Sequence, residues 1–323
     1  MSDNVPEIPQ HIQNDWIAGK DFMPEPGPTR REWIISIFMF CLTFLTATLA
    51  GLSYVTGSFS FLDILRLLAS RPQIILRGIQ FSFPLIAILT AHEFGHFFAC
   101  RHYGMRCTPP FFIPMPFPPT GTLGAFIKIK SPFRSKKALF DIGIAGPLAG
   151  FAFTLPVLWI GISLSRLAHK LPATGTSLSF GEPLIFRLIA MATLNYAPAR
   201  QDLMAHPMAM AGWVGLLATS LNLLPVWQLD GGHITYALTN RERQKNISIV
   251  AIIALILASF QGWPTPSYLM FGLMLLIIGW RVRFYHPMTM RDEQPLETGR
   301  ILLGGVALLI LILSFTPVPI SVR

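Results

Sequence analysis

Charge is what this chain lacks most. Only 13% of its 323 residues are Asp, Glu, Lys or Arg, against about 25% in soluble domains. Hydrophobic residues make up 52%, and the mean hydropathy is +0.53. That balance excludes an ordinary soluble domain and reads as an integral membrane protein. Acid is scarcer than base, with 16 Asp and Glu against 25 Lys and Arg. The bases are spread among loops between apolar runs, so they read as topology signals and not as a nucleic-acid surface. Cysteine is nearly absent. Cys41, Cys100 and Cys107 are odd in number and have no disulfide-type spacing, which excludes a disulfide scaffold and a thiolate zinc site. No cleavable signal peptide is visible, and no repeat. Residues 1–32 are polar and rich in proline, and are expected to form a poorly ordered cytoplasmic tail.

The apolar runs predict an all-α polytopic membrane protein with about seven transmembrane helices, each needing about 20 residues to span. The first is placed at 33–55. A catalytic core is placed at 74–240, with spans at about 78–98, 138–164 and 207–229 and a loop at 101–137. The C-terminal helices are placed at 245–318. The mixed stretch Phe59 to Arg77 suits an interfacial helix. An eighth span is reached if that stretch, or Leu184 to Tyr196, inserts.

The loop at 101–137 carries Arg101, Arg106, Lys128, Lys130, Arg134, Lys136 and Lys137 and no acid. Its middle, Pro109 to Pro119, cannot be a helix because of its prolines. It is expected to be an irregular re-entrant or interfacial loop. Gly121 to Lys130 reads as an edge strand or hairpin, either a plain connection or a substrate-binding edge. Gly143, Gly146 and Gly150 lie on small-residue spacing that lets helices approach closely. Asp141 reads as a cap or an interfacial charge.

Basic loops favour the cytoplasmic side. The loops carrying bases follow the second, fourth and sixth spans, so all three fall on one side. This places the N-terminus inside and the C-terminus outside. It also places the C-terminal ends of the second and fourth spans at the same face.

Those two ends carry the chemistry. The second holds His92-Glu93-Phe94-Gly95-His96. Histidines four apart on a helix point the same way, and two neutral imidazoles there can hold one zinc ion with Glu93 beside them as a general base. The bland alternative is a pair of histidines satisfied inside a helical bundle. A catalytic zinc takes three protein ligands. Asp230 is the first choice for the third, because an acid near the end of an apolar helix is costly without a partner. Gly231 and Gly232 behind it let the chain turn, and His233 is the rival ligand. Zinc would lower the pKa of its water towards ~7, and Glu93 would pass the proton to a leaving amine. Asn222 offers an amide to an oxyanion or to another helix. Pro225 is expected to kink or open the helix it shares with Asp230. The backbone around Gly124 would hold a substrate extended by strand addition.

These residues resemble the site-2 protease family of intramembrane zinc metalloproteases. The resemblance rests on His92-Glu93-x-x-His96, on Asn222-x-x-Pro225-x-x-x-Leu229-Asp230-Gly231, and on Phe140 to Gly150 between them. It covers roughly residues 75–240 and looks most like the bacterial and plastid branch without a PDZ domain. It implies a three-helix core, Zn2+ held by His92, His96 and Asp230, and Glu93 as catalytic acid and base. It also implies membrane-anchored protein substrates in a lipid bilayer, often first trimmed by an upstream site-1-type protease, in a bacterial inner membrane or a plastid-type membrane. Neither a PDZ domain nor a nucleotide-sensing CBS pair fits any segment outside the membrane. A metal-ion transporter or sensor, and a catalytically silent scaffold, are the alternatives. Glu93 separates them, since neither needs a carboxylate that is not a ligand.

Overall fold

Two of the three longest helices begin where a side chain caps them, and the third begins directly after a 3-10 turn. The computed structural model describes residues 25–57, 60–116, 120–169, 178–262, 267–290, 292 and 295–322. Helix α1, Arg30–Thr56, opens on a capping box between Thr29 and Glu32 and ends on Gly57 at φ 69, satisfying the free groups at both ends. Helix α2, Phe61–Ser70, falls within the mixed stretch Phe59 to Arg77. A short 3-10 turn, Pro72–Ile74, leads into α3, Ile75–His102. Helix α4, Lys136–Ser163, is capped by Ser135. These account for the three helices among the described residues that are long and apolar enough to cross a membrane. Their outer faces carry exposed Ile37, Phe38, Phe83, Phe98, Phe153 and Trp159, as surfaces against lipid do.

Shorter helices follow: α5, Leu184–Leu194; α6, Pro207–Asn222; α7, Asp230–Leu238; α8, Arg241–Ser259; α9, Leu269–Arg281; and α10, Thr298–Ser314. The molecule is organised around α3, which packs against α1, α4 and α6, while α4 packs against α6 and α7. The α3–α4 approach is close. A Cβ on Gly95 would lie 2.4 Å from the Ala145 carbonyl oxygen, so glycine is required there.

The structure corrects three expectations. Three two-stranded antiparallel pieces accompany the helices among the described residues, two of them beyond the hairpin expected at Gly121 to Lys130. Strand β1, Phe111–Pro114, pairs with β2, Thr122–Phe126. Strand β3, Arg166–His169, pairs with β5, Gln201–Met204, and β4, Leu178–Phe180, pairs with β6, Ile320–Val322. Second, part of the proline-rich stretch is therefore a strand, with its register shifted between Phe112 and Pro114, as a residue without an N–H demands. Residues 117–119 lie outside the described residues, as does most of the tail expected at 1–32. The hairpin is seated on α1. Ser36 donates to Pro110 O at 2.5 Å, and Thr46 donates to Gly121 O at 2.7 Å. Third, the expected span at 207–229 is not one kinked helix. Helix α6 stops at Asn222, and Asp230 opens a new helix. Pro225 lies in the connection between them, so of the two expected effects, a kink or an opening, the chain shows the opening.

Candidate metal centre

Helix α3 brings His92 and His96 to one face, four residues apart, and both are buried. Their Nε2 atoms lie 3.2 Å apart. Asp230 Oδ2 lies 3.3 Å from each of them. Asp230 reaches this position from the first turn of α7, where a carboxylate also suits the positive end of the helix dipole. Reversing the chain between α6 and α7 needs glycine. A Cβ on Gly231 would meet Leu223 O at 2.0 Å, and one on Gly232 would meet Val226 O at 2.4 Å.

Hydrogen bonds decide which nitrogens carry lone pairs. His96 Nδ1 lies 2.7 Å from the Ile142 carbonyl oxygen. A carbonyl only accepts, so Nδ1 carries the proton and the neutral ring presents a lone pair at Nε2. Asn222, the last residue of α6, turns its Nδ2 to His92 Nε2 at 3.3 Å, and that amide donates. Three acceptor atoms thus face one another at 3.2–3.3 Å. That is about the ligand-to-ligand spacing around a tetrahedral ion with bonds of about 2.0–2.1 Å. Two imidazoles and a carboxylate form a donor set that fits zinc, and His92, His96 and Asp230 are the one group of this kind among the described residues.

Glu93 is buried beside this triangle, and the backbone N–H of Ile127, just past β2, lies near its carboxylate. Gly124 lies three residues earlier, in β2, at φ 98 with open space on its Cβ side. Gly124 itself does not reach the triangle. Pro225 does not either, since its carbonyl accepts from Ser248 on α8 at 2.9 Å. The rival ligand His233 is engaged elsewhere, with its Nδ1 2.6 Å from His286 Nε2. His286 Nδ1 in turn donates to Pro287 O, so His286 accepts from His233.

Sequence reasoning misses four contributors. The Ile142 carbonyl and the Ile127 N–H are backbone groups with no residue signature. Gly146 reads as helix packing, yet a Cβ there would lie 2.1 Å from His96 Nε2. It clears the space the ligand nitrogen occupies. Gly150 lies against His92 more loosely, with a Cβ there 3.1 Å from the His92 Cβ and Nδ1.

The family model described as peptidase family M50 matches residues 80–260, more than half of the chain and a range that includes His92, Glu93, His96, Asn222 and Asp230. The probable zinc metalloprotease EGY1, chloroplastic, of Oryza sativa subsp. japonica is 32% identical over 269 residues, covering 78% of this chain and 45% of the relative. Its Arabidopsis thaliana counterpart is 29% identical over 309 residues, covering 91% and 55%. The probable zinc metalloprotease EGY2, chloroplastic, of Oryza sativa subsp. indica is 28% identical over 229 residues, covering 68% and 39%. The chain thus spans about half the length of the curated relatives it matches. No solved structure matches it significantly. With the family model covering both motif-bearing helices and the turn that delivers Asp230, the chain belongs to peptidase family M50.

Proposed function

We propose that this chain is a zinc-dependent intramembrane endopeptidase that hydrolyses peptide bonds within or next to transmembrane segments of membrane-anchored proteins. The observation that carries this reading is the buried triangle of His92 Nε2, His96 Nε2 and Asp230 Oδ2 with the Glu93 carboxylate at its side. Family membership and the printed names of the relatives support it. His92, His96 and Asp230 would hold the zinc. When bound, zinc supplies a Lewis acid that makes water nucleophilic near neutral pH. Glu93 takes the proton from the attacking water and delivers it to the leaving amine. The Ile127 N–H orients that carboxylate. Asn222 places an amide donor beside His92, where it steadies the developing oxyanion.

A transmembrane peptide is hidden by its own helical hydrogen bonds, so the cleaved stretch must be held extended. Strand β2 is bonded to β1 along one edge, and the substrate adds along the other, near Gly124. Because Ile127 follows β2 directly, a substrate strand laid there passes Glu93. The catalytic core occupies 74–240 of about seven spans, with helices at 245–318 behind it. The charge parity of the loops turns the N-terminus and the site towards the cytoplasm, in a bacterial inner membrane or a plastid-type membrane. Substrates are trimmed first by an upstream protease.

The test is Glu93→Gln. Zinc stays bound, and cleavage of a model transmembrane substrate falls by about 10²–10⁴-fold. Persistent cleavage would remove Glu93 from its role. Zinc movement across liposomes by a wild type that cuts nothing would favour a transporter.

A further inference from the structure

The Asp141 carboxylate is held by two neighbouring elements. Arg300 donates Nε to Oδ1 and Nη2 to Oδ2, both at 2.8 Å, the bidentate fork that fixes direction as well as charge. Tyr103, the residue that closes α3, donates its hydroxyl to Oδ2. Burial, with the Asp141 hydrogen bond second, pushes the Tyr103 phenol up to about 12, so it stays a donor at any working pH. Arg300 also reaches Glu297, which in turn holds Lys137. One carboxylate therefore ties the end of α3, the first turns of α4, and α10.

The next residue is Ile142, whose carbonyl accepts the His96 Nδ1 proton. Two ties between α3 and α4 thus land on consecutive residues of α4. One is Tyr103 to Asp141, and the other is His96 to Ile142. Along this interface there is little freedom, since Gly95 already meets Ala145 backbone and Gly146 already meets His96. A small slide of α4 either breaks the Ile142 bond or drives the glycine backbone into the imidazole.

We propose that Arg300 and Tyr103 are positioning residues for the metal centre. They hold Asp141, and with it the following carbonyl, at the setting of α4 that turns His96 Nε2 towards His92 and Asp230. This rests on the reading of those three residues as zinc ligands. It adds that α10, which lies outside the family match at 80–260, is coupled to the centre through one guanidinium. Arginine is needed for this, because lysine carries the charge but not the fork.

The experiment uses the full chain purified in detergent. Zinc affinity is measured by chelator competition, the visible spectrum of the cobalt-substituted protein reports the ligand field, and thermal unfolding is followed without metal. His96→Ala is measured first. If the wild type binds no zinc, or this variant binds as tightly as wild type, the ligand reading itself fails. Given a wild type that binds through His96, Arg300→Gln is expected to weaken zinc about tenfold and to shift the cobalt bands. Arg300→Lys restores part of the affinity. Tyr103→Phe, which removes a single hydroxyl and keeps the ring, moves both readouts in the same direction by less, and carries the test if Arg300→Gln does not fold. The double variant Asp141→Asn with Arg300→Gln is no worse than the single ones, since all act through one carboxylate. Wild-type affinity and an unchanged cobalt spectrum in both Arg300→Gln and Tyr103→Phe overturn the proposal. So does lowered thermal stability without loss of affinity, which would make the cluster a helix staple and nothing more.

Discussion

Replacing Gly146 by alanine places a methyl group 2.1 Å from His96 Nε2 and 2.4 Å from Cδ2 of the same ring. Ordinary contact begins near 3.4 Å, so the imidazole or the helix must retreat by about 1.3 Å. The ring has no free direction. Its Nδ1 is tied to Ile142 O at 2.7 Å, and moving away from Gly146 strains or breaks that bond. Retreat also changes the 3.3 Å separation from Asp230 Oδ2. Metal–ligand distances tolerate about 0.2 Å, so the shift removes a ligand. Zinc affinity is expected to fall by at least about 100-fold. Stability should change far less. Overpacking costs about 1–3 kcal/mol, and alanine in place of glycine in a helix returns about 1 kcal/mol, leaving a net loss of roughly 0–2 kcal/mol. The assay is zinc per chain after purification, chelator competition, and thermal unfolding of the same samples. Two other glycines calibrate it. Gly150→Ala puts its methyl 3.1 Å from His92, a clash of a few tenths of an ångström, and should keep most of the binding. Gly305→Ala meets nothing within 4 Å and should bind as wild type. A folded Gly146→Ala protein with wild-type zinc affinity refutes the reasoning, as does an equal loss in Gly305→Ala.

Asn222→Ala should retain zinc and lose about 100-fold in turnover, with little change in substrate affinity; equal losses in both would assign Asn222 to substrate binding. Gly124→Pro removes the N–H that donates to Thr122 Oγ1 at 2.9 Å and forbids the local φ of 98. It should abolish cleavage while zinc stays bound, and unimpaired cleavage excludes strand addition at β2. Glu297 is held below its ordinary 4.5 chiefly by the Lys137 hydrogen bond. A depressed carboxylate contributes stability above its unfolded pKa and loses it as pH falls through the folded one. Unfolding temperature should therefore decline as the pH drops below about 4.5, weakly and only at low salt because the pair is exposed. Lys137→Gln should flatten that decline, and an unaltered slope assigns it to other carboxylates.

The long helices were legible because apolar runs of spanning length leave few other solutions, and α1, α3 and α4 fall within a few residues of the expected limits. The end of α6 was not. Pro225 inside an apolar run reads as a kink or an opening and does not say where the helix stops. What stops the helix is the return of the chain upon itself, where Gly231 sits against the Leu223 carbonyl, a contact eight residues apart that no local pattern announces. The pairings β3–β5 and β4–β6 were illegible for a related reason. Four-residue and three-residue strands carry no usable alternation, and their partners lie far along the chain.

The grouping of His92, His96 and Asp230 was legible at the level of residue type, and more of its geometry is written in the sequence than the motif alone conveys. His92 and His96 are four apart on α3, and Gly150 and Gly146 are four apart on α4. Consecutive spans run antiparallel, so the two spacings read in opposite directions along facing helices. His92 meets Gly150, and His96 meets Gly146. One turn further on, the same register carries Cys100 to Ile142, and both lie in one buried cluster. Equal spacing on two adjacent antiparallel spans thus fixes which glycine serves which histidine. It follows that Gly146-x-x-x-Gly150 is the complement of the histidine pair, because a Cβ at 146 would occupy the space of the His96 ring and one at 150 would press on His92.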